Sequence, residues 1–174
     1  MEAEAAPGST TRDLDEIARD CLADNGATSS FLGYQMHGAV RYPAVICASV
    51  NEEIVHGIPG DRVLRDGDIV SIDFGAIVDG WHGDAAVTVL IGNVAPEVAE
   101  LSRVTRESMW AGLGAARAGG HLSDIGHAVE TVIRASGPYG IVEEYGGHGI
   151  GSSMHMDPHI LNYGPPGLGP VLRP

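Results

Sequence analysis

The chain has 174 residues, 44% of them hydrophobic, with a mean hydropathy near zero, and a chain of that size can bury roughly 70% of its unfolded surface. No apolar run approaches the roughly 20 residues of a membrane helix, and the opening Met-Glu-Ala-Glu-Ala-Ala-Pro lacks the basic and apolar regions of an export signal. A formal charge of -13, with Lys and Arg totalling only 10 and never clustered, speaks against nucleic-acid backbones and anionic membranes and suits hard cations.

In chain order, Thr10 or Thr11 caps a first predicted helix with the apolar stripe Leu14, Ile17, Ala18, Cys21 and Leu22, closed by Gly26. Three strands follow. They are Val45 to Val50, which is β-branched and apolar, and two alternating runs, Asp68 to Ile77 and Ala85 to Ile91. A second helix starts after Pro96, carries Leu101, Val104, Met109 and Leu113, and stops at Gly119-Gly120; a third has Ser123 as cap and Ile125, Val129, Val132 and Ile133 as its stripe, ending at Gly137-Pro138. Twenty-five Gly and ten Pro imply many tight turns. Cys21 and Cys47 form neither a C-x-x-C pair nor a disulfide framework, so both are expected to be reduced thiols in a cytoplasm.

The first and third helices match at an offset of 111, with Gly8 on Gly119, Asp13 on Asp124, Gly26 on Gly137, and Leu14, Ala18, Cys21 and Leu22 on Ile125, Val129, Val132 and Ile133. That pattern reads as an internal duplication, although two amphipathic helices with glycine ends can also match by chance. Continued at the same offset, the counterparts of the second and third strands fall beyond Pro174, and a counterpart of the second helix falls before Met1. The expected fold therefore has an incomplete second half.

Asp79-Gly80 between the alternating runs predicts a two-residue hairpin turn. With that turn, Asp73 lies opposite Ala86 and Gly75 opposite Asp84. Ser71, Asp73, Asp84 and Thr88 then share one face, and Val70, Ile72, Phe74, Val87, Val89 and Ile91 share the core face. Asp73 and Asp84 become diagonal neighbours about 7–8 Å apart at the backbone. Two like charges so placed call for a cation, or else raise the pKa of at least one; taken alone they read more readily as two solvated surface aspartates.

The surrounding text adds specificity. Asn51 to Pro59 (Asn-Glu-Glu-Ile-Val-His-Gly-Ile-Pro), Gly67 to Asp73, His82-Gly83-Asp84-Ala85, Gly146 to Gly151 and Met154 to Pro158 follow in order. In these motifs the chain resembles the type I methionine aminopeptidases, from about Gly8 to Arg173. The resemblance implies an α+β pita-bread fold, an antiparallel sheet covered by helices with pseudo-twofold duplication, built from residues 1–174 as a single, incomplete domain. It also implies metal-dependent removal of N-terminal methionine from nascent proteins and peptides, by a cytoplasmic enzyme that is a monomer when complete.

Carried over by position, the resemblance makes Asp73 a ligand, Asp84 a bridging ligand and His148 the imidazole ligand of two divalent ions, Co, Mn, Fe or Zn. His56 and His155 contact the substrate, with His155 polarising or protonating around the scissile amide. Cys47, Tyr42, Tyr34, Phe31 and Met154 form the methionine pocket, with ordinary core packing as the alternative for Phe31. The stretch Gln35 to Arg41 looks longer than the corresponding loop of that family.

Other readings of the same residues are weaker. Gly147-His148-Gly149-Ile150-Gly151 lacks the strand-to-helix context of a dinucleotide loop, and Pro158 interrupts the H-x₃-H spacing of His155 and His159. His37, His82, His121 and His127 read as hydrogen-bonded structural histidines. The family's two glutamate ligands lie past the position where this chain ends, which predicts weak metal binding and impaired activity. A catalytically dead pita-bread module that binds a peptide or a partner is the competing class, and a proline-directed dipeptidase the competing specificity.

Overall fold

The computed structural model describes residues 2–35 and 40–174. They fall into two compact units, one formed by Met1–Pro96 with Ile150–Met154 and the other by Glu97–Gly149 with His155–Pro174.

In the first unit, helix α1 (Thr11–Asp24) opens with Thr10 as N-cap and Asp13 completing a capping box, so that two otherwise orphaned donors are satisfied. Asn25 caps its C-terminus and Gly26 follows with φ +62°. The buried face is Thr11, Leu14, Asp15, Ala18 and Leu22, whereas Cys21, expected on the stripe, is exposed. The face turns toward Asp15 because its carboxylate is needed inside: Oδ1 accepts from the backbone N–H of Val45 (2.7 Å) and of Ile46 (3.2 Å), and Oδ2 from Arg19 Nε (2.8 Å).

The sheet packed on α1 has four strands, β1 (Thr28–Ser29), β2 (Ile46–Val50), β3 (Ile69–Val78) and β4 (Trp81–Leu90). β3 is central, with β4 along one side and β1 and β2 in succession along the other, every pairing antiparallel. Asp79 (φ +51°) and Gly80 (φ +83°) make the tight β3–β4 turn, and the register is the expected one, with Asp73 opposite Ala86 and Gly75 opposite Asp84. Ile46, Ala48, Val50, Val70, Ile72 and Ile91 join Leu14, Ala18 and Leu22 in one buried cluster, so the even-numbered face of β3 is the core face. Val87, placed by alternation on that face, is 42% exposed because β4 pairs only with β3 among the described residues and lies at the sheet's edge.

The second unit contains α2 (Pro96–Ala115), α3 (Ser123–Ser136) and a two-stranded antiparallel ladder of β5 (Gly147–Gly149) and β6 (Met156–Ile160). α2 starts on Pro96 as expected, yet its buried residues are Val104, Ser108 and Gly112, while Leu101, Met109 and Leu113 are exposed. Small side chains occupy the contact because α3 comes close: a Cβ on Gly112 would stand 2.7 Å from Val129 Cγ2. Ser123 is not the cap of α3. Leu122 holds that position without a side-chain bond, and the Ser123 hydroxyl instead accepts from Leu168 N–H at 2.8 Å.

The duplication reappears in the hydrogen bonds. In the first unit Gly8 N–H donates to Leu64 O, Leu64 N–H to Ser9 O, Thr11 N–H to Arg62 O and Arg12 N–H to Gly60 O. In the second unit Gly119, Leu172, Leu122 and Ser123 donate to the carbonyls of Leu172, Gly120, Pro170 and Leu168. The helix side is offset by 111 (Gly8 to Gly119) and the partner side by 108 (Leu64 to Leu172). Asp13 and Asp124 repeat one further bond, each accepting the backbone N–H three residues earlier, at 2.6 and 2.8 Å. A chance likeness of two helices has no reason to reproduce the ladder outside them.

Candidate active site

The site face of the first unit is the side of the sheet away from α1. Cys47 of β2, Asp73 of β3 and Ala86 of β4 stand in one cross-strand row, and Asp84 sits one step along, opposite Gly75. Cross-strand partners point to the same side of a sheet, so the thiol and the two carboxyls share one surface. Burial is the largest cause that raises the Asp73 carboxyl, to about 7, followed by the charge of Asp84 and a hydrogen bond between the two carboxyls; the Phe74 backbone N–H pulls weakly the other way. A carboxyl raised by burial and by the charge of a second carboxyl beside it is one that a cation would relieve, so the donor set fits a divalent metal.

Beside the carboxyls lies an apolar cluster of Phe31, Cys47 and Met154, all buried, with Tyr42 packed against it. The Phe31 and Tyr42 rings meet edge to face at 6.4 Å between centroids. Gly75 makes this possible, since a Cβ there would lie 2.8 Å from Phe31 Cε1 and from Ser30 Cβ. Tyr42 Oη lies 3.0 Å from each of the Ile46 and Gly57 carbonyls, as a donor shared between them. Burial pushes the Tyr42 phenol upward, and it pushes the Cys47 thiol to about 11, with the charges of Asp73 and Asp84 adding to the rise and the Tyr42 hydrogen bond opposing it. Tyr34 lies outside this cluster, partly exposed, with its backbone carbonyl bonded to Tyr42 N–H. Of the Gln35 to Arg41 stretch, Met36, His37, Gly38 and Ala39 lie outside the described residues.

His56 is exposed and has φ +61°, a left-handed conformation that a non-glycine residue adopts only when its neighbours hold it there. Gly57 does the holding. Its carbonyl accepts from Ala48 N–H at 2.8 Å, its N–H donates to the buried Ser49 Oγ at 3.0 Å, and a Cβ on it would stand 2.4 Å from Ala48 O. No side chain larger than hydrogen fits against β2 at that point.

In the second unit the β5–β6 ladder sets His148 opposite His159, with a register shift after His148. The His148 and His155 rings lie 4.3 Å apart between centroids, tilted by 44°. His148 Nδ1 is 2.9 Å from Gly149 O. A carbonyl only accepts, so Nδ1 carries the proton and Nε2 keeps its lone pair for a metal. His148, His155, Met156, Asp157 and His159 line an open depression of about 670 Å³. Among the described residues no group of three or more His, Cys, Asp or Glu side chains stands together as a metal site; the pair brought together is Asp73 with Asp84.

The profile of metallopeptidase family M24 matches residues 1–174. The chain belongs to that family. Within M24 it stands among the methionine aminopeptidases: it is 52% identical over 178 residues to methionine aminopeptidase 1 of Mycobacterium tuberculosis and 48% identical over 168 residues to methionine aminopeptidase 1 of Bacillus subtilis. These alignments cover 99% and 97% of this chain and 65% of each relative, so the chain spans just under two-thirds of their length. The crystal structure of methionine aminopeptidase from Rickettsia prowazekii superposes with a TM-score of 0.92 at 37% identity, over 99% of this chain and 67% of that one. The fold is the pita-bread fold of the M24 enzymes.

The sequence motifs named the carboxylates, the histidines and all four residues at or packed against the apolar cluster, with Tyr34 as a fifth that lies outside it. They missed Gly57 and Gly75, which matter for the side chain they lack. They also missed Ser30, whose Oγ lies 2.9 Å from His82 Nδ1. The only available signal for His82 was its place two residues before Asp84, on the same strand face.

Proposed function

We propose that the chain carries out metal-dependent removal of N-terminal methionine from peptides and nascent proteins, in the cytoplasm. The observation that supports it best is a pair of acids sharing one sheet face, beside a buried cluster of thiol, thioether and aromatic side chains. Soft, polarisable neighbours suit a methionine thioether, and the acid pair suits the cation that would mark the amino terminus next to it.

Asp73, Asp84 and His148 are the residues we assign to hold two divalent ions, from Co, Mn, Fe or Zn. When bound, such ions supply Lewis acidity at the scissile carbonyl and an acidified water at neutral pH. The chain's own groups do the rest. Phe31, Cys47, Met154 and Tyr42 receive the methionine side chain and exclude water from it, and Tyr34 borders them. His56, fixed in its left-handed conformation by Gly57, contacts the substrate backbone; His155, whose ring lies beside that of His148, donates a proton at the leaving nitrogen.

No helix among the described residues is long and apolar enough to cross a membrane. The deciding experiment is a methionyl-peptide hydrolysis assay with Mn²⁺ or Co²⁺, run beside Asp84→Asn and a chelated control. Turnover that depends on metal and is lost in the variant is expected. Turnover that survives both the chelator and the substitution would refute the proposal.

A further inference from the structure

The His82 ring is used by none of the chemistry above, yet it sits where both walls of the apolar cluster are anchored. One wall is Phe31. The residue before it, Ser30, is buried, donates its backbone N–H to Gly75 O at 3.0 Å, and has its hydroxyl 2.9 Å from His82 Nδ1. The other wall is Met154, which follows a turn in which Gly151 N–H donates to Ser153 O, and Gly151 O in turn accepts from His82 N–H at 2.7 Å. One residue of β4 therefore bonds Ser30 through its ring and Gly151 through its backbone. Its register partner is Ile77, one strand step beyond the Gly75–Asp84 pair. Among the described residues the Ser30 hydroxyl has no other hydrogen-bond partner. Where Gly75 leaves a gap for Phe31 to fill, something must keep Phe31 in that gap, and a rigid planar ring two residues from Asp84 meets the need.

We propose that His82 is a positioning residue, whose ring holds the Ser30–Phe31 turn to the strand that carries the Gly151–Met154 turn on its backbone N–H, and thereby sets the shape of the pocket around Cys47. Its effect reaches the substrate only through Phe31 and Met154. Of the pocket's consequences, side-chain selectivity rests on the aminopeptidase reading, whereas protection of the Cys47 thiol does not.

The test uses the full chain and its two cysteines. Cys21 is exposed and Cys47 buried, so iodoacetamide labelling followed by peptide mass spectrometry reads Cys47 against an internal standard. Loss of one hydrogen bond that holds a local closure shifts opening by about three- to tenfold. His82→Ala and Ser30→Ala are each expected to raise the Cys47 rate, relative to Cys21, by that factor. The double variant should exceed neither single by more than about twofold, because both remove one bond. His82→Asn, whose amide can replace Nδ1, should stay near wild type.

Cys47 rates in both alanine variants within twofold of wild type, or fully multiplicative effects in the double variant, would overturn the proposal. Should His82→Ala fail to fold, with Cys47 labelled as fast as Cys21, Ser30→Ala decides, since it leaves every backbone bond in place. In parallel, the kcat/KM ratio for methionyl over leucyl peptides should fall by about threefold in His82→Ala and recover in His82→Asn. A wild-type chain that turns over neither peptide refutes the aminopeptidase reading, while Cys47 labelling still judges the clasp.

Discussion

At the residue scale, Asp73 makes the clearest statement, since its folded-state carboxyl titrates near 7 rather than near the ordinary 3.8. The folded chain thus holds a proton that the unfolded chain releases as pH rises past about 4. Stability associated with that proton is complete below pH 4 and is lost progressively as pH rises toward 7. Other carboxyls run the opposite way: Asp13, Asp68, Asp124 and Glu130 are lowered by hydrogen bonds, so their contribution is lost as pH falls. The Asp73 effect is isolated by comparing the metal-free wild type with Asp84→Asn in urea unfolding across pH 4 to 8. The variant lacks the neighbouring charge but keeps the burial, so it should gain on wild type with rising pH, by on the order of 1 kcal/mol at pH 7.5. A difference that is flat with pH would mean that Asp84 does not feel Asp73.

At the element scale, glycine positions separate local preference from packing. Gly114 of α2 has open space where a Cβ would go, so Gly114→Ala should stabilise the chain by a few tenths to ~1 kcal/mol through helix preference alone. Gly126 of α3 gains the same preference, but its Cβ would stand 2.4 Å from Leu161 O and 2.8 Å from Tyr163 O. Backbone cannot retreat as a side-chain tip can, so Gly126→Ala should be destabilising by about 1–3 kcal/mol despite the better helix former. Thermal unfolding of the two variants should move in opposite directions. The cap of α1 offers a third check: Thr10→Ala removes the Thr10 side of the capping box and should cost about 1 kcal/mol.

At the scale of the whole molecule, metal and fold are linked on the reading proposed above. A ligand that binds only the folded chain stabilises it by about 2.7 kcal/mol at a hundredfold excess over its dissociation constant. Mn²⁺ or Co²⁺ should therefore raise the melting temperature in a concentration-dependent manner, EDTA should reverse the rise, and Asp84→Asn should abolish it. Melting curves that superpose with and without the metals would count against Asp73 and Asp84 as ligands.

Local chemistry alone determined much of this protein. Thr10 with Asp13 wrote the start of α1, Asp79-Gly80 dictated the turn and with it the β3–β4 register, and that register put Asp73 and Asp84 on one face, because the pleat alternates strictly by two; the pairing of β2 that adds Cys47 to that face came only with the fold. The repeated glycines and aspartates announced a duplication that the two hydrogen-bonded ladders bear out. What pattern could not supply was depth. Hydropathy ranked Cys21 above Asp15 and Leu101, Met109 and Leu113 above Ser108 and Gly112, yet the tertiary fold buries the second set, because a carboxylate is needed on the Val45 and Ile46 amides and a close helix crossing admits only small side chains. The bond from Ser30 to His82 spans 52 residues; nothing in the periodicity of either segment refers to the other, and only the folded sheet brings them together.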